Sequence, residues 1–309
     1  MAPRVKRPVA PPETPVVATA EVPPALPAGE EPSALAEPAE RAGRSGGAYE
    51  WFWRSGVANA LSIAGRDLRA SVVSPIGWVI TPIVIVVVTF FGFLLPVLVQ
   101  QTATMDNVFS LIAFLLILPI VPLTTMRVLA EERRQGTLEM LLTSPVRDWE
   151  LVVGKWLGSL AFFGAMFSFT FVYVVLFLVY LPKVTLHPFG VPLTVGNLDF
   201  GLLLSGYLGL LALGAAFIAI GVLCSSLTQN QIVAAFLTFG ALIVIYYSGL
   251  AAQFLAPPYD GFFSYVGASN RYAGFSQGQI ALKDVVYFAS LTLGSLFLAT
   301  RVLESRKWR

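Results

Sequence analysis

Six long apolar stretches, separated by short polar segments, dominate the chain. They cover residues 75–99, 108–126, 156–181, 200–224, 232–255 and about 283–303. A helix needs roughly 20 predominantly apolar residues to cross a hydrocarbon core of about 30 Å, so each stretch predicts a transmembrane helix. The sixth is the weakest, because Lys283 and Asp284 stand at its start. Residues 49–70 show a different pattern. Trp53, Val57, Ala60, Leu61, Ala64 and Leu68 recur on one face at helical spacing, while Arg54, Ser62, Arg66 and Arg69 fall elsewhere. A stripe of this kind with a basic opposite face predicts a helix lying at the membrane surface. Two spans also carry stripes of small residues: Gly154, Gly158, Ala161, Ala165 and Ser168, and Gly201, Ser205 and Gly209. Such stripes let helix backbones approach closely in lipid and are expected to be packing faces.

Composition agrees with that pattern. The chain of 309 residues is 56% hydrophobic and 12% charged, against about 25% charged in a soluble domain. A net charge of +2 gives no reason to expect a nucleic-acid partner. Residues 1–47 are a different material. They hold 10 of the 21 prolines and no aromatic residue. A segment of that kind buries too little apolar surface to offset its ordering entropy and is expected to be a disordered tail. The fold expected is therefore an all-α polytopic membrane protein. Residues 48–309 form a six-span domain, with an amphipathic interfacial helix at 49–70 and a disordered tail before it.

Basic residues set the expected orientation. Arg54, Arg66 and Arg69 precede the first span, and Arg301, Arg306, Lys307 and Arg309 end the chain. Arg127, Arg133, Arg134, Arg147 and Lys155 lie between spans two and three, whereas the loop after span one has no Lys or Arg. Both termini and the loop at 131–155 are thus expected in the cytoplasm of a cell that carries this protein in its plasma or inner membrane. Lys155 reads here as an inside anchor for the third span.

Several kinds of chemistry find no support. The first five spans hold no Asp, Glu, Lys, Arg or His in their interiors, which argues against an ion-coupled transporter or a channel selecting through charged rings. One Cys (Cys224) and one His (His187) make a metal site in a single chain unexpected. Gly154-Lys155 looks like the end of a P-loop, but Trp156 stands where Ser or Thr should hold Mg²⁺, and Trp149 where the first Gly should be. If ATP drives this protein, another chain binds it.

The charged loop is ordered in its sequence signals. Gly136 is expected to end a cytoplasmic extension of the second span. Residues 137–143 then make about two helical turns with Leu138, Leu141 and Leu142 apolar, and Ser144-Pro145 reads as N-cap and first residue of the next helix. Asp148 and Glu150 follow in or beside that first turn, where negative charge favours the helix dipole. Taken whole, the run Glu131-Glu132-Arg133-Arg134-Gln135-Gly136-Thr137-Leu138-Glu139-Met140-Leu141-Leu142-Thr143-Ser144-Pro145 resembles the signature loop of type-2 ATP-binding-cassette (ABC) permeases, and within them the gliding-motility-type branch. A second patch, Gly278-Gln279-Ile280-Ala281-Leu282-Lys283-Asp284-Val285-Val286-Tyr287-Phe288, is similar to that branch's approach to the last span, although the family usually has an acidic residue at or near the position of Ala281.

The resemblance covers roughly residue 54 to the C-terminus. It implies a six-span permease whose loop helix inserts into a groove of a cytoplasmic ABC ATPase. Two permeases, identical or different, would work with two ATPases, which alone bind ATP and Mg²⁺. Carried over by position, Glu131, Glu132, Gly136, Thr137, Glu139, Pro145 and Arg147 would form the coupling element, with Leu138, Leu141 and Leu142 filling the groove. Glu131 and Glu132 would pair with basic groups of the ATPase or with nearby Arg side chains. The aromatic stretch at 256–280 reads as an interfacial belt or, by the resemblance, as an outer gate of short re-entrant helices. Tyr246, Tyr247, Ser248, Gln253, Tyr272 and Phe275 are the candidate path or gate residues. An exporter permease is the first expectation. The alternatives are a force-transmitting subunit of the same fold acting on another envelope protein, and a stand-alone channel or facilitator.

Overall fold

The computed structural model describes residues 56–100, 105–136, 147–180, 183–186, 193–196, 199–252 and 259–305. The tail at 1–47, Gln253 and loop residues Thr137, Leu138, Glu139, Leu141, Leu142, Ser144 and Pro145 lie outside them. Within the described residues, six helices are long and apolar enough to cross a membrane: Pro75–Val99, Met105–Arg134, Asp148–Val179, Phe200–Leu227, Gln231–Ala251 and Leu282–Glu304. All six expected spans are present and the fold is helical. Among the described residues a short antiparallel hairpin follows the third span, β1 (Lys183–Leu186) with β2 (Leu193–Gly196), where Val184 pairs with Val195.

The first helix, α1 (Gly56–Val73), leads into the first span. Ser74 caps that span by accepting from the Gly77 amide at 3.1 Å, and Pro75 takes the first helical position, where its missing N–H is not needed. The span starts as α2 (Pro75–Val87) and widens into π turns over Val88–Leu94 and Pro96–Gln100. The second span is α3 (Met105–Leu115), a π turn at Leu116–Ile120 around Pro119, and α4 (Val121–Thr125). It then breaks at Met126–Leu129 and resumes as α5 (Ala130–Arg134). The expected end at residue 126 marks this break rather than the end of the helix. Ser225 of the fourth span repairs it: its hydroxyl accepts from the Leu129 and Ala130 amides, both at 3.1 Å. Two amides freed by the break are thereby satisfied inside an apolar bundle, where unmet donors are costly.

The third span begins as α6 (Asp148–Ser168) and continues as α7 (Phe171–Tyr180). Its start corrects an expectation. Arg147, in extended geometry, is the N-cap, so the helix begins at Asp148 and not at Pro145. Asp148 and Glu150 do occupy the first turn, and Glu150 Oε2 accepts from the Arg147 amide at 3.3 Å. The fourth span, α8 (Phe200–Leu227), is the most enclosed and forms the centre of the bundle. The Asp199 carboxylate caps its start through Gly201 and Leu202. The fifth span is α9 (Gln231–Ala251), capped by Asn230. Two short helices follow, α10 (Tyr259–Val266) and α11 (Ala268–Ser276), before the sixth span, α12 (Leu282–Glu304). Cys224 is buried.

Part of each small-residue stripe has a partner within the chain, whereas Ala161, Ala165, Ser168 and Gly201 are exposed. A side-chain carbon at Gly154 would lie 2.8 Å from the Ala60 carbonyl, and one at Gly158 3.1 Å from that of Ala64, so the third span seats the interfacial helix. In the fourth span the hydroxyl of Ser205 donates to the Phe275 carbonyl at 2.7 Å, and Gly209 meets the Phe275 side chain, so that stripe seats α11. The burial of α1 also differs from expectation. Ala60 and Ala64 are buried against the third span, whereas Val57 and Leu61 stay exposed. Ala60, Ala64 and Ile63 make the protein contact, while Val57 and Leu61 point outward.

Candidate functional site

Three chain segments meet around one ammonium group. Lys155, in the second turn of α6, donates to Glu132 Oε1 at 2.7 Å and to Asp67 Oδ2 at 3.2 Å. Its side chain is 3% exposed, and those of Asp67 and Glu132 are 22% and 20% exposed. A cation this deep is stable only when paired, and two carboxylates from separate helices provide that. Lys155 therefore fastens α5, the short helix leading into the charged loop, to α1 and to the third span. Lys155, read from the sequence as an inside anchor for the third span, is also a buried joint between three segments. The close approach made possible by Gly154 and Gly158 brings α1 near enough for Asp67 to reach it.

A second contact runs beside the first. Glu150, 3% exposed, accepts from the Asn59 side-chain amide at 3.0 Å. Gly56 lies tight against Trp149 and Glu150. The other coupling candidates within the described residues occupy the rim. Glu131 accepts from Gln135 Nε2 at 3.2 Å and lies 4.0 Å from Arg127. Glu132 thus pairs with a lysine of the third span, while Glu131 has a nearby Arg as expected. Gly136 has φ +71, a conformation that disfavours any residue with a Cβ, and it ends the extension of the second span where expected. Arg147 is 74% exposed on its side chain and 4.0 Å from Glu150. Thr137, Leu138, Glu139, Leu141, Leu142 and Pro145 lie outside the described residues.

The opposite end of the bundle is built differently. Arg271 of α11 donates to Asp284 Oδ1 at 3.0 Å, and its guanidinium lies 4.4 Å from the centre of the Tyr265 ring. A guanidinium over an aromatic face gains from the ring quadrupole as well as from the carboxylate. Asp284 is buried in the first turn of α12, so the acidic residue that weakened this span in the sequence is one half of an internal ion pair. Among the path or gate candidates, Tyr272 and Phe275 are 3% and 2% exposed and pack inside. Burial pushes the Tyr272 phenol far above its usual range, with the Tyr246 phenol and the Asp106 carboxylate adding to the effect. The Tyr272 hydroxyl has no hydrogen-bond partner among the described residues. Tyr246 stacks edge-on against Phe217 and Tyr247, and Ser248 donates to the Ile245 carbonyl of its own helix. The structure thus brings Tyr246 and Tyr272 together, leaves Tyr247 partly exposed, and satisfies Ser248 locally. Gln253 lies outside the described residues.

A family model described as ABC-2 family transporter protein matches residues 61–262, about two thirds of the chain. The chain belongs to the ABC-2 transporter family. The match takes in the first five spans, the charged loop and the ion cluster around Lys155. Comparison with individually curated proteins gave no match. Family membership and the six apolar helices make this ABC-2 chain a multi-pass membrane protein and a transporter permease subunit. For an ABC-2 permease an ABC ATPase is the implied partner.

Sequence reasoning missed Asp67, Asn59 and the partnership of Lys155. One signal was present. Asp67 and Lys155 are opposite charges on two helices whose facing residues, Ala60, Ala64, Gly154 and Gly158, are all small. Two small-residue faces invite close packing, and charges of opposite sign beside such a seam are candidates to pair.

Proposed function

We propose that this chain is the permease subunit of an ATP-driven exporter of the gliding-motility-type branch. Here a separate cytoplasmic ABC ATPase binds ATP and Mg²⁺, and residues 131–155 couple it to the membrane. Two permeases, identical or different, and two ATPases make the working unit in the plasma or inner membrane, with both termini in the cytoplasm. Tyr246, Tyr247, Ser248, Gln253, Tyr272 and Phe275 line the path or outer gate in this reading, and an accessory envelope protein is a further candidate partner.

The observation that carries the reading is the double ion pair of Lys155 with Glu132 and Asp67. A lever transmits force only if it is rigidly joined to what it moves. A load applied to the segment after Gly136 reaches α5 first. From there Lys155 passes it to the third span and to α1 together. A floppy connection would absorb the same load within the loop.

Purification from native membranes in mild detergent tests this reading, with co-eluting proteins identified by mass spectrometry. A stoichiometric soluble P-loop ATPase is expected. Glu132→Arg, which places two cations together beside Asp67, is expected to lose that ATPase or its coupling while the chain still inserts. A single-chain oligomer without ATPase would overturn the reading and favour a channel or facilitator.

A further inference from the structure

A cavity of about 310 Å³ opens where the interfacial helix turns into the first span. It straddles the boundary between polar and apolar surroundings. Ser74, the cap of the first span, lines it together with Ile80 one turn further in, and Leu123 and Phe162 complete an apolar wall. Its polar side carries charges of both signs: Asp67, Glu131 and Glu132, with Arg127 and Lys155.

These charges are not equally engaged. Lys155 holds Asp67 and Glu132. Glu131 Oε1 accepts from Gln135 Nε2 at 3.2 Å, while its Oε2 lies 4.0 Å from Arg127 Nε, beyond hydrogen-bond length. The Arg127 Nε–H is buried and makes no hydrogen bond among the described residues. The Arg127 side chain as a whole is 42% exposed and lines the cavity, which leaves its charge open to an anionic ligand. The remaining pair thus offers one anion-binding fork and one carboxylate beside an apolar wall. The complementary ligand has an anionic oxygen cluster, a cationic donor a few bonds away, and an apolar tail.

We propose that this cavity holds the headgroup of a zwitterionic phospholipid with a primary ammonium, of the phosphatidylethanolamine class. Its phosphate sits at Arg127, its ammonium at Glu131, and its acyl chains run along Ile80, Leu123 and Phe162. A primary ammonium donates hydrogen bonds to a carboxylate and a quaternary one does not, so the ethanolamine head is favoured over choline. If the orientation proposed above holds, the lipid belongs to the cytoplasmic leaflet. The binding itself does not require an ATPase.

The full chain would be extracted from liposomes containing equal amounts of phosphatidylethanolamine, phosphatidylcholine and phosphatidylglycerol, and retained lipid counted by native mass spectrometry. One phosphatidylethanolamine per chain is expected, in preference to the other two. Arg127→Gln should weaken its retention roughly tenfold, the loss of one charge-assisted hydrogen bond. Glu131→Gln should abolish the preference for ethanolamine over choline. Ala70→Trp, at an exposed position on the cavity wall, should block retention without disturbing the fold. Equal retention of phosphatidylcholine by the native chain would overturn the proposal. So would preference for phosphatidylglycerol, displacement of the lipid by inorganic phosphate, or unchanged retention in all three variants.

Discussion

The two ends of the bundle solve the same problem with different chemistry. At each end a small helix must be held against long apolar spans, and at each end a buried cation does it. At the end carrying the charged loop, Lys155 bridges two carboxylates from segments far apart in sequence, Asp67 and Glu132. At the other end, Arg271 meets one carboxylate, Asp284, thirteen residues away, and rests on the Tyr265 ring. The first arrangement adds the short helix α5 to a pair, α1 and the third span, already packed together through Gly154 and Gly158. The second closes a local turn onto the start of the sixth span. A compact, flexible ammonium suits a shared joint between two carboxylates, and a planar guanidinium suits a single carboxylate with a ring beneath it.

The largest expected effect separates the two ends directly. Lys155→Met leaves Asp67 and Glu132 facing each other with no cation between them, and removing one partner of a buried pair costs about 3–5 kcal/mol. Thermal unfolding in detergent should show that loss. Asp67→Asn should recover part of it in the double variant. Arg271→Gln loses one charged hydrogen bond and the ring contact, at a cost of about 1.5–3 kcal/mol by the same assay. A larger loss at Arg271 than at Lys155 would reverse the ranking of the two ends. Tyr272→Phe removes a buried hydroxyl that has no partner among the described residues, so it should leave stability unchanged or raise it by up to about 1 kcal/mol. A clear loss of stability would mean that the hydroxyl is hydrogen-bonded. Arg147→Ala removes a 74% exposed side chain that only reaches to 4.0 Å from Glu150, whose bonds to Asn59 and the residue-147 amide remain, so it should change stability by less than about 0.5 kcal/mol. If it also abolishes ATPase recruitment, Arg147 acts on the partner and not on the fold.

The spans were legible because lipid imposes a length and a polarity that any apolar run reveals. The end of the second span's extension was legible at Gly136, since a positive φ there calls for Gly. The start of the third span was not. Ser144-Pro145 is a strong local N-cap signal, yet Arg147 caps the helix, because Glu150 at the third helical position accepts the Arg147 amide. The break at Met126–Leu129 was invisible for a different reason. It is sustained by Ser225, about 95 residues away, and nothing local announces it. The sequence shows charges as a bias between loops, but pairing depends on which helices touch. Lys155 counted as one more positive residue until α1 was placed against the third span. The aromatic stretch gave its composition away, but not that residues 259–276 fold into two helices, the second of them seated on Ser205 and Gly209.

The central claim is that the segment between Gly136 and Arg147 docks on an ATPase. A photoreactive amino acid placed at Leu141 in native membranes tests it most directly, with the same group at Ile280 as the control on the opposite end of the bundle. The account predicts that a P-loop ATPase is captured from Leu141 and not from Ile280, and that Glu132→Arg diminishes the capture. Illumination that yields no ATPase from Leu141, in membranes where the chain is fully inserted, would contradict it.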